Sequence, residues 1–339
     1  MGRTTLPLQL QYIMSSSAPP LRPMTAGDIL DQAIRIYRRN FVPLVTIVAI
    51  ISVPLVLIQV AAAIISFGVT GTFTTTQNLG DVSAISALFV GASGLSYLLG
   101  LIGAIFQNGA LTAFVSERFL GRPITIGQAY KRALRRWLSL LIAALLVGVA
   151  LFALLMLAFG VFFIPIIGIG ALSAAGADNT TSGILGLFTL CFCVLMIPAF
   201  LLVIFFATRW VFYIQAIVLE NYNSTGGLGR SWKLVRGTFW RVLGITALLY
   251  IMVAILSVAP MYAVLPISLL LPSPMLAAVL NTVVQSVVVI LMTPLQFAAL
   301  TVLYYDLRIR KEGFDLEQQL QQDAEPPIGN PPLAFGASV

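Results

Sequence analysis

The chain has 339 residues, 59% of them hydrophobic and 9% charged, where a soluble domain is roughly 45–50% apolar and about 25% charged. That balance excludes a soluble globular fold, because uncharged apolar runs of roughly 18 residues or more read as membrane helices. The net charge is +7 and there is no histidine, so the commonest general base and metal ligand is missing, and cations confined between apolar runs read as bilayer orientation rather than nucleic-acid binding.

Residues 1–20 carry no signal-peptide pattern, since Arg3 is the only early charge and 6–14 is too short and polar for an apolar core segment. They are expected to be disordered. Thr25-Ala26-Gly27-Asp28 then signals a helix start, with Leu30, Ala33, Ile34 and Tyr37 on one stripe and Arg35, Arg38 and Arg39 beside it. Apolar runs follow at 41–67 and 85–115. A second amphipathic stretch places Ile126, Ala129, Tyr130, Ala133, Leu134 and Trp137 opposite Lys131, Arg132, Arg135 and Arg136. Further runs cover 138–172 and 184–219. A third amphipathic stretch carries Leu228, Trp232, Val235 and Phe239 with Arg230, Lys233, Arg236 and Arg241. The last runs, 242–271 and 275–303, are split by Pro272-Ser273-Pro274, and Arg308, Arg310 and Lys311 follow. Pro54, Pro165, Pro198 and Pro294 mark expected kinks. From about 318 the tail is polar and expected to be disordered.

The intervening loops, 68–84, 173–183 and 272–274, hold no Lys or Arg, only Asp81 and Asp178. By the positive-inside rule every basic segment is cytoplasmic. The expected fold is all-α: a polytopic integral protein of the plasma membrane with six transmembrane helices, both termini cytoplasmic, and three cytoplasmic amphipathic surface helices.

The three surface helices align. Ala33-Ile34-Arg35 matches Ala129-Tyr130-Lys131 and Ser231-Trp232-Lys233 at offsets of 96 and 102 residues, which brings Phe41, Trp137 and Phe239 into register. The second-span ends also match, 107–112 with 296–301, each followed by an acid, Glu117 or Asp306, with Glu220 closing the middle unit. A membrane domain of 21–317 is thereby a threefold internal repeat, with units at about 25–120, 121–223 and 224–312. Each closing acid is expected near the basic helix that opens the next unit, Glu117 near Lys131 and Glu220 near Lys233.

Three strings carry a family resemblance: Leu21-Arg22-Pro23-Met24-Thr25-Ala26-Gly27-Asp28-Ile29-Leu30, then Arg230-Ser231-Trp232-Lys233-Leu234-Val235-Arg236-Gly237-Thr238-Phe239-Trp240, and the stretch from Leu303-Tyr304-Tyr305-Asp306 through Glu312-Gly313-Phe314-Asp315-Leu316. They resemble bacterial and archaeal membrane proteins named after the membrane domain of glycerophosphoryl diester phosphodiesterases. The resemblance implies membrane architecture. It implies no activity, because the enzyme class relies on a separate soluble barrel, on histidines and on a carboxylate-bound metal.

Glu117, Glu220 and Asp306 read either as an acidic group that binds a cation or couples proton movement, or as interfacial carboxylates paired with Arg or Lys. Gln59, Gln107, Asn108, Asn281, Gln285 and Gln296 lie in or near spans, where amides either bond across helices or line a solute path. Arg209 is expected to snorkel or to pair with a carboxylate. Gly91, Gly94, Gly100, Gly103 and Gly109 suit close helix approach. Cys191 and Cys193 read as packing residues, and Asn179-Thr180-Thr181 as a sequon on the outer face.

No catalytic residue, metal site or cofactor emerges, and the chain is not expected to be an enzyme. The candidate contacts for a lipid or small polar solute at the cytoplasmic leaflet are Arg35, Arg39, Lys131, Arg135, Lys233, Arg236, Glu117, Glu220, Asp306, Gln107 and Gln296. Anionic inner-leaflet lipids are the expected partners. A scaffold recruiting a membrane or cytoplasmic protein through the basic face is the alternative, and an interfacial lipid-modifying enzyme the third. A pocket near the bilayer midplane lined by Gln or Asn is the mark of transport, and a solid core under a flat basic face that of a scaffold.

Overall fold

Apolar runs of this length can satisfy their backbone in hydrocarbon only as helices, and the computed structural model, which describes residues 23–73, 79–174, 183, 197–271 and 273–313, contains helices and no strand among them. In chain order they are α1 (Ala26–Arg39), α2 (Phe41–Phe73), α3 (Leu79–Phe119), α4 (Ile126–Leu134), α5 (Trp137–Ala174), α6 (197–209), α7 (Tyr213–Leu219), α8 (Ser224–Val235), α9 (Phe239–Leu270) and α10 (Pro274–Glu312). Six stretches are long and apolar enough to cross a membrane: Phe41–Ile65, Gly94–Phe119, Trp137–Leu157, Ile197–Leu219, Phe239–Leu270 and Met275–Glu312. The protein is an all-α, polytopic membrane protein with six spans. Residues 1–22, the sequon, both cysteines and the tail lie outside the described residues.

One expectation about the spans changes. The expected loop 68–84 is mostly helix, since α2 runs to Phe73 and α3 begins at Leu79. The helical backbone also continues past Pro54, Pro260, Pro266 and Pro294. The fourth span is interrupted at 210–212, between α6 and α7, where no proline occurs. Ser231 stitches that break, donating to the Arg209 carbonyl at 2.8 Å and accepting from the Phe212 amide at 3.1 Å.

Each amphipathic helix abuts its span: one residue separates α1 from α2, two separate α4 from α5 and three separate α8 from α9. Capping boxes start the first two, Thr25 with Asp28 and Thr125 with Gln128, and Asn223 is the N-cap of α8. The N-caps are 100 and 98 residues apart, whereas the span starts Phe41, Trp137 and Phe239 are 96 and 102 apart. The middle surface helix therefore begins four residues, about one turn, nearer its span. The span starts keep the 96- and 102-residue register, and the caps set the middle surface helix one turn off it. Counted from the caps, Ala33 corresponds to Ala133 and Ser231, all 0% exposed, and Ile29 to Ala129 and Gly227, all buried. A small side chain facing a neighbouring helix fixes the register.

The core lies at the end where these three helices gather. Ala110, Leu111, Phe114 and Val115 of α3 pack there with Ala298, Ala299, Val302, Leu303 and Tyr304 of α10. Towards the other end the spans present Leu57, Leu98, Val149, Phe152, Ile255 and Leu269 outward, as lipid-facing surfaces do. Only part of the glycine series serves close approach. A Cβ on Gly103 would lie 2.5 Å from Ile51 Cγ2, and one on Gly109 3.1 Å from Ala133 Cβ, but Gly91 and Gly94 face nothing within 4 Å. Ile51 is β-branched and stiff in a helix, so α2 and α3 must separate to admit a methyl group. Gly103→Ala is expected to cost about 1–3 kcal/mol and lower the midpoint of thermal unfolding in detergent. Gly94→Ala should leave it unchanged or raise it, since Ala is the better helix former.

Candidate functional site

The three closing acids sit where the second helix of each unit reaches the basic end, and each ties that end to the next surface helix. Glu117 of α3 pairs with Arg132 of α4. Glu220, just after α7, accepts a fork from Arg230 of α8, at 2.7 Å from Nε and 3.0 Å from Nη2. Arg132 and Arg230 both stand seven residues after their N-caps. The expected partners Lys131 and Lys233 are instead exposed, because adjacent helix positions differ by about 100° in direction.

The third acid closes a ring. The equivalent position on α1 is Gln32, and Asp306 holds the chain just ahead of α1 by another route. Asp306 is 0% exposed and accepts from the Met24 amide at 2.7 Å, from Arg241 at 2.9 Å and from Arg310 at 3.0 Å. Arg241 and Arg310 also donate to the Met24 carbonyl, at 2.5 and 2.7 Å. One carboxylate and two guanidiniums thus saturate both backbone groups of Met24. Buried ionised carboxylates persist only when paired and hydrogen-bonded in this way.

Around Glu220 the ion pairs form a network. Arg230 also grips Glu312 at the end of α10, Arg308 reaches Glu220 at 3.3 Å and Glu312 at 3.2 Å, and the buried Tyr304 hydroxyl donates to Glu220. Burial works against the Arg230 charge, but hydrogen bonds to Glu312 and Glu220 more than offset it and hold its pKa above the ordinary arginine value. Lys311 donates to the Leu234 and Arg236 carbonyls at 2.7 and 2.5 Å, capping the end of α8. Among the described residues Arg209 pairs with no carboxylate, and such a pair is one of its two expected arrangements. Its guanidinium lies 4.7 Å from the Trp232 ring centroid and 5.1 Å from that of Phe205, a cation–π arrangement.

Beside the Glu117–Arg132 pair opens a cleft of about 820 Å³, lined from α4 by Gln128, Lys131, Arg132, Arg135 and Arg136, from the turn after α3 by Pro123 and Ile124, and from beyond α7 by Asn221. Asn221 has a φ of 59°, a left-handed conformation that asparagine tolerates better than most residues. The cleft holds four cations and one acid, and that acid is occupied by Arg132. Lys131, Arg135 and Arg136 make no ion pair among the described residues. They stand in the last turn of α4 and just past it, where the helix dipole favours cations. Tyr130, on the opposite side of α4, donates to the Ile47 carbonyl of α2 at 2.6 Å, and burial pushes its pKa up to about 12. That bond ties α4 to α2 on the side away from the cleft.

Of the sequence candidates, the fold brings together Glu117, Lys131 and Arg135. Arg35 and Arg39 on α1, and Lys233 and Arg236 at α8, are exposed but do not line the cleft. Glu220 and Asp306 belong to the packing of the ring. Gln107 is buried and accepts from Ser52 at 3.3 Å, a bond across helices, and Gln296 is half-buried on α10. Sequence reasoning missed Arg132, Arg136, Arg230 and Arg241 as individuals, and the structure distinguishes them by which cation faces a carboxylate.

Residues 24–307 match the model of a family described as a domain of unknown function, DUF7847. No curated protein and no solved structure matches the chain. The matched segment starts at the residue that Asp306 holds and stops one residue past that acid. The family description carries no activity.

Proposed function

The chain belongs to the DUF7847 family, and we propose that it is a non-enzymatic protein of the plasma membrane that binds an anionic, phosphate-bearing lipid headgroup at the cytoplasmic leaflet. The supporting observation is the cleft on α4, where Lys131, Arg135 and Arg136 face open space and, among the described residues, no carboxylate pairs with them. The cation distribution orients this end to the cytoplasm, and the anionic lipids of that leaflet supply the complementary charge. The resemblance to the phosphodiesterase membrane domain belongs to the same proposal, as architecture without catalysis.

Each cation near an anionic leaflet contributes about 1 kcal/mol, so three contribute about 3 kcal/mol, or roughly a hundredfold in affinity. The test is lipid retention by native mass spectrometry in mixed micelles of phosphatidylglycerol and phosphatidylcholine. The triple variant Lys131→Gln, Arg135→Gln, Arg136→Gln is expected to lose anionic-lipid adducts by that factor while keeping its fold and its few neutral-lipid adducts. Added salt should weaken the wild type and leave the variant nearly unaffected. Undiminished anionic adducts in the triple variant overturn the proposal, and loss of a co-purifying protein instead of lipid favours the scaffold reading.

A further inference from the structure

A second pocket, of about 470 Å³, opens between α2 and α10, far from the basic end. Its α10 wall carries Asn281 and Gln285, which stand 25 and 21 residues ahead of Asp306, about 38 and 32 Å along a helix. From the other direction, Ser52 and Gln59 are 11 and 18 residues into α2, about 16 and 27 Å from its start. The hydrocarbon layer is about 30 Å thick, so the pocket spans the region from the midplane towards the face opposite the basic helices.

Polar groups are costly at this depth unless something satisfies them. The hydroxyls of Thr282 and Ser286 donate to the carbonyls one turn back at 2.9 and 2.6 Å, and the Asn281 amide donates likewise to Ala277 at 3.1 Å. Ser52 donates across to Gln107. These bonds use the three hydroxyl donors and one of the two Asn281 N–H groups, and they leave the oxygens as acceptors. Gln59 and Gln285 make no hydrogen bond among the described residues, so two whole amides are also open. Leu55, Val56 and Val289 supply apolar contact, and among the described residues no charged side chain lines the pocket.

We propose that this pocket is a binding site for a small uncharged polyol, whose hydroxyls donate to the acceptor-rich wall while Gln59 and Gln285 accept or donate as needed. The volume lies within the ordinary range of small-molecule sites, roughly 300–1,000 Å³. A charged solute is excluded because no counter-charge faces the pocket and the desolvation cost would go unmatched. The hydroxyl-bearing group can come from a free polyol or from the headgroup of a neutral lipid such as diacylglycerol, and the two sources share this chemistry.

The test is saturation-transfer NMR on the full chain in phosphatidylcholine nanodiscs, with xylitol as probe and xylonate, its carboxylate analogue, as control. Xylitol should receive saturation from the protein, and xylonate should bind at least tenfold more weakly. The variant Asn281→Leu, Gln285→Leu replaces both amides with apolar groups of similar size suited to a lipid-facing helix, and should lose the xylitol signal at least tenfold. Its thermal midpoint and its anionic-lipid adducts should match the wild type, which separates this site from the cleft on α4. Gln59→Leu, on the facing helix, serves as the second variant should the double one fail to fold. Displacement of xylitol by diacylglycerol added to the nanodisc identifies the lipid source and supports the site; xylitol binding without displacement supports the free solute. No transfer to xylitol together with no diacylglycerol adduct, equal binding of xylonate, or a xylitol signal unchanged in both variants overturns the proposal.

Discussion

Asp306→Asn is expected to destabilise the protein by about 3–5 kcal/mol, the usual result of removing one partner from a buried charge group. The side chain is 0% exposed and takes three donors, the Met24 amide, Arg241 and Arg310. Asparagine preserves the shape and one acceptor, but its amide nitrogen would point donor hydrogens at guanidinium donors. With the retained oxygen still serving the Met24 amide and Arg310, Arg241 would be left with the Met24 carbonyl alone. The loss should be local first: residues 24–30 should lose hydrogen-exchange protection while α4 keeps its own, because α4 is tied by Glu117 and Tyr130. Arg241→Gln should cost less, since Arg310 still neutralises the acid. Equal protection at 24–30 in wild type and Asp306→Asn would refute the clamp.

How much of this arrangement the sequence discloses follows from the range of each signal. Six spans and three basic helices at one end are legible because apolar runs and charge segregation are local and repeated. The caps at Thr25 and Thr125 are legible for the same reason, and so are the three acids, since each ends an apolar run. The partners are not. Choosing Arg132 over Lys131 depends on a rotation of about 100° around α4, and that rotation is set by the small buried faces of Ala129 and Ala133 against α3. The Asp306–Met24 bond joins residues 282 apart in sequence, and no short-range pattern reports it. The break at 210–212 has no glycine or proline to announce it; it is held by Ser231 from another helix. In the distant pocket, Asn281 and Gln285 share a face by their four-residue spacing, which the sequence shows. That Ser52 and Gln59 stand opposite them depends on how α2 and α10 pack, which it does not.

The Glu220 network supplies the second large effect. Arg230 forks onto Glu220 and also holds Glu312, and its side chain and that of Glu220 are 17% and 13% exposed. Replacing it with methionine keeps much of the stem packing but leaves Glu220 to Arg308 and the Tyr304 hydroxyl, and Glu312 to Arg308 alone. The expected loss is about 3 kcal/mol, mostly the penalty of a nearly buried carboxylate deprived of its bidentate partner. Glu312→Gln should cost less than about 1 kcal/mol, because that carboxylate is more exposed and its ion pairs are correspondingly screened. Arg230→Lys should fall between them: it keeps the charge but cannot form the fork. Pairing Arg230→Met with Glu220→Gln should recover part of the loss, since the uncompensated charge is then gone, whereas independent contributions would add. The measurement is chemical unfolding of each variant in the same detergent, with the single and double changes compared as a cycle. Strict additivity of Arg230→Met and Glu220→Gln, or a Glu312→Gln loss as large as that of Arg230→Met, would show that the charge network does not join α8 to the end of α7.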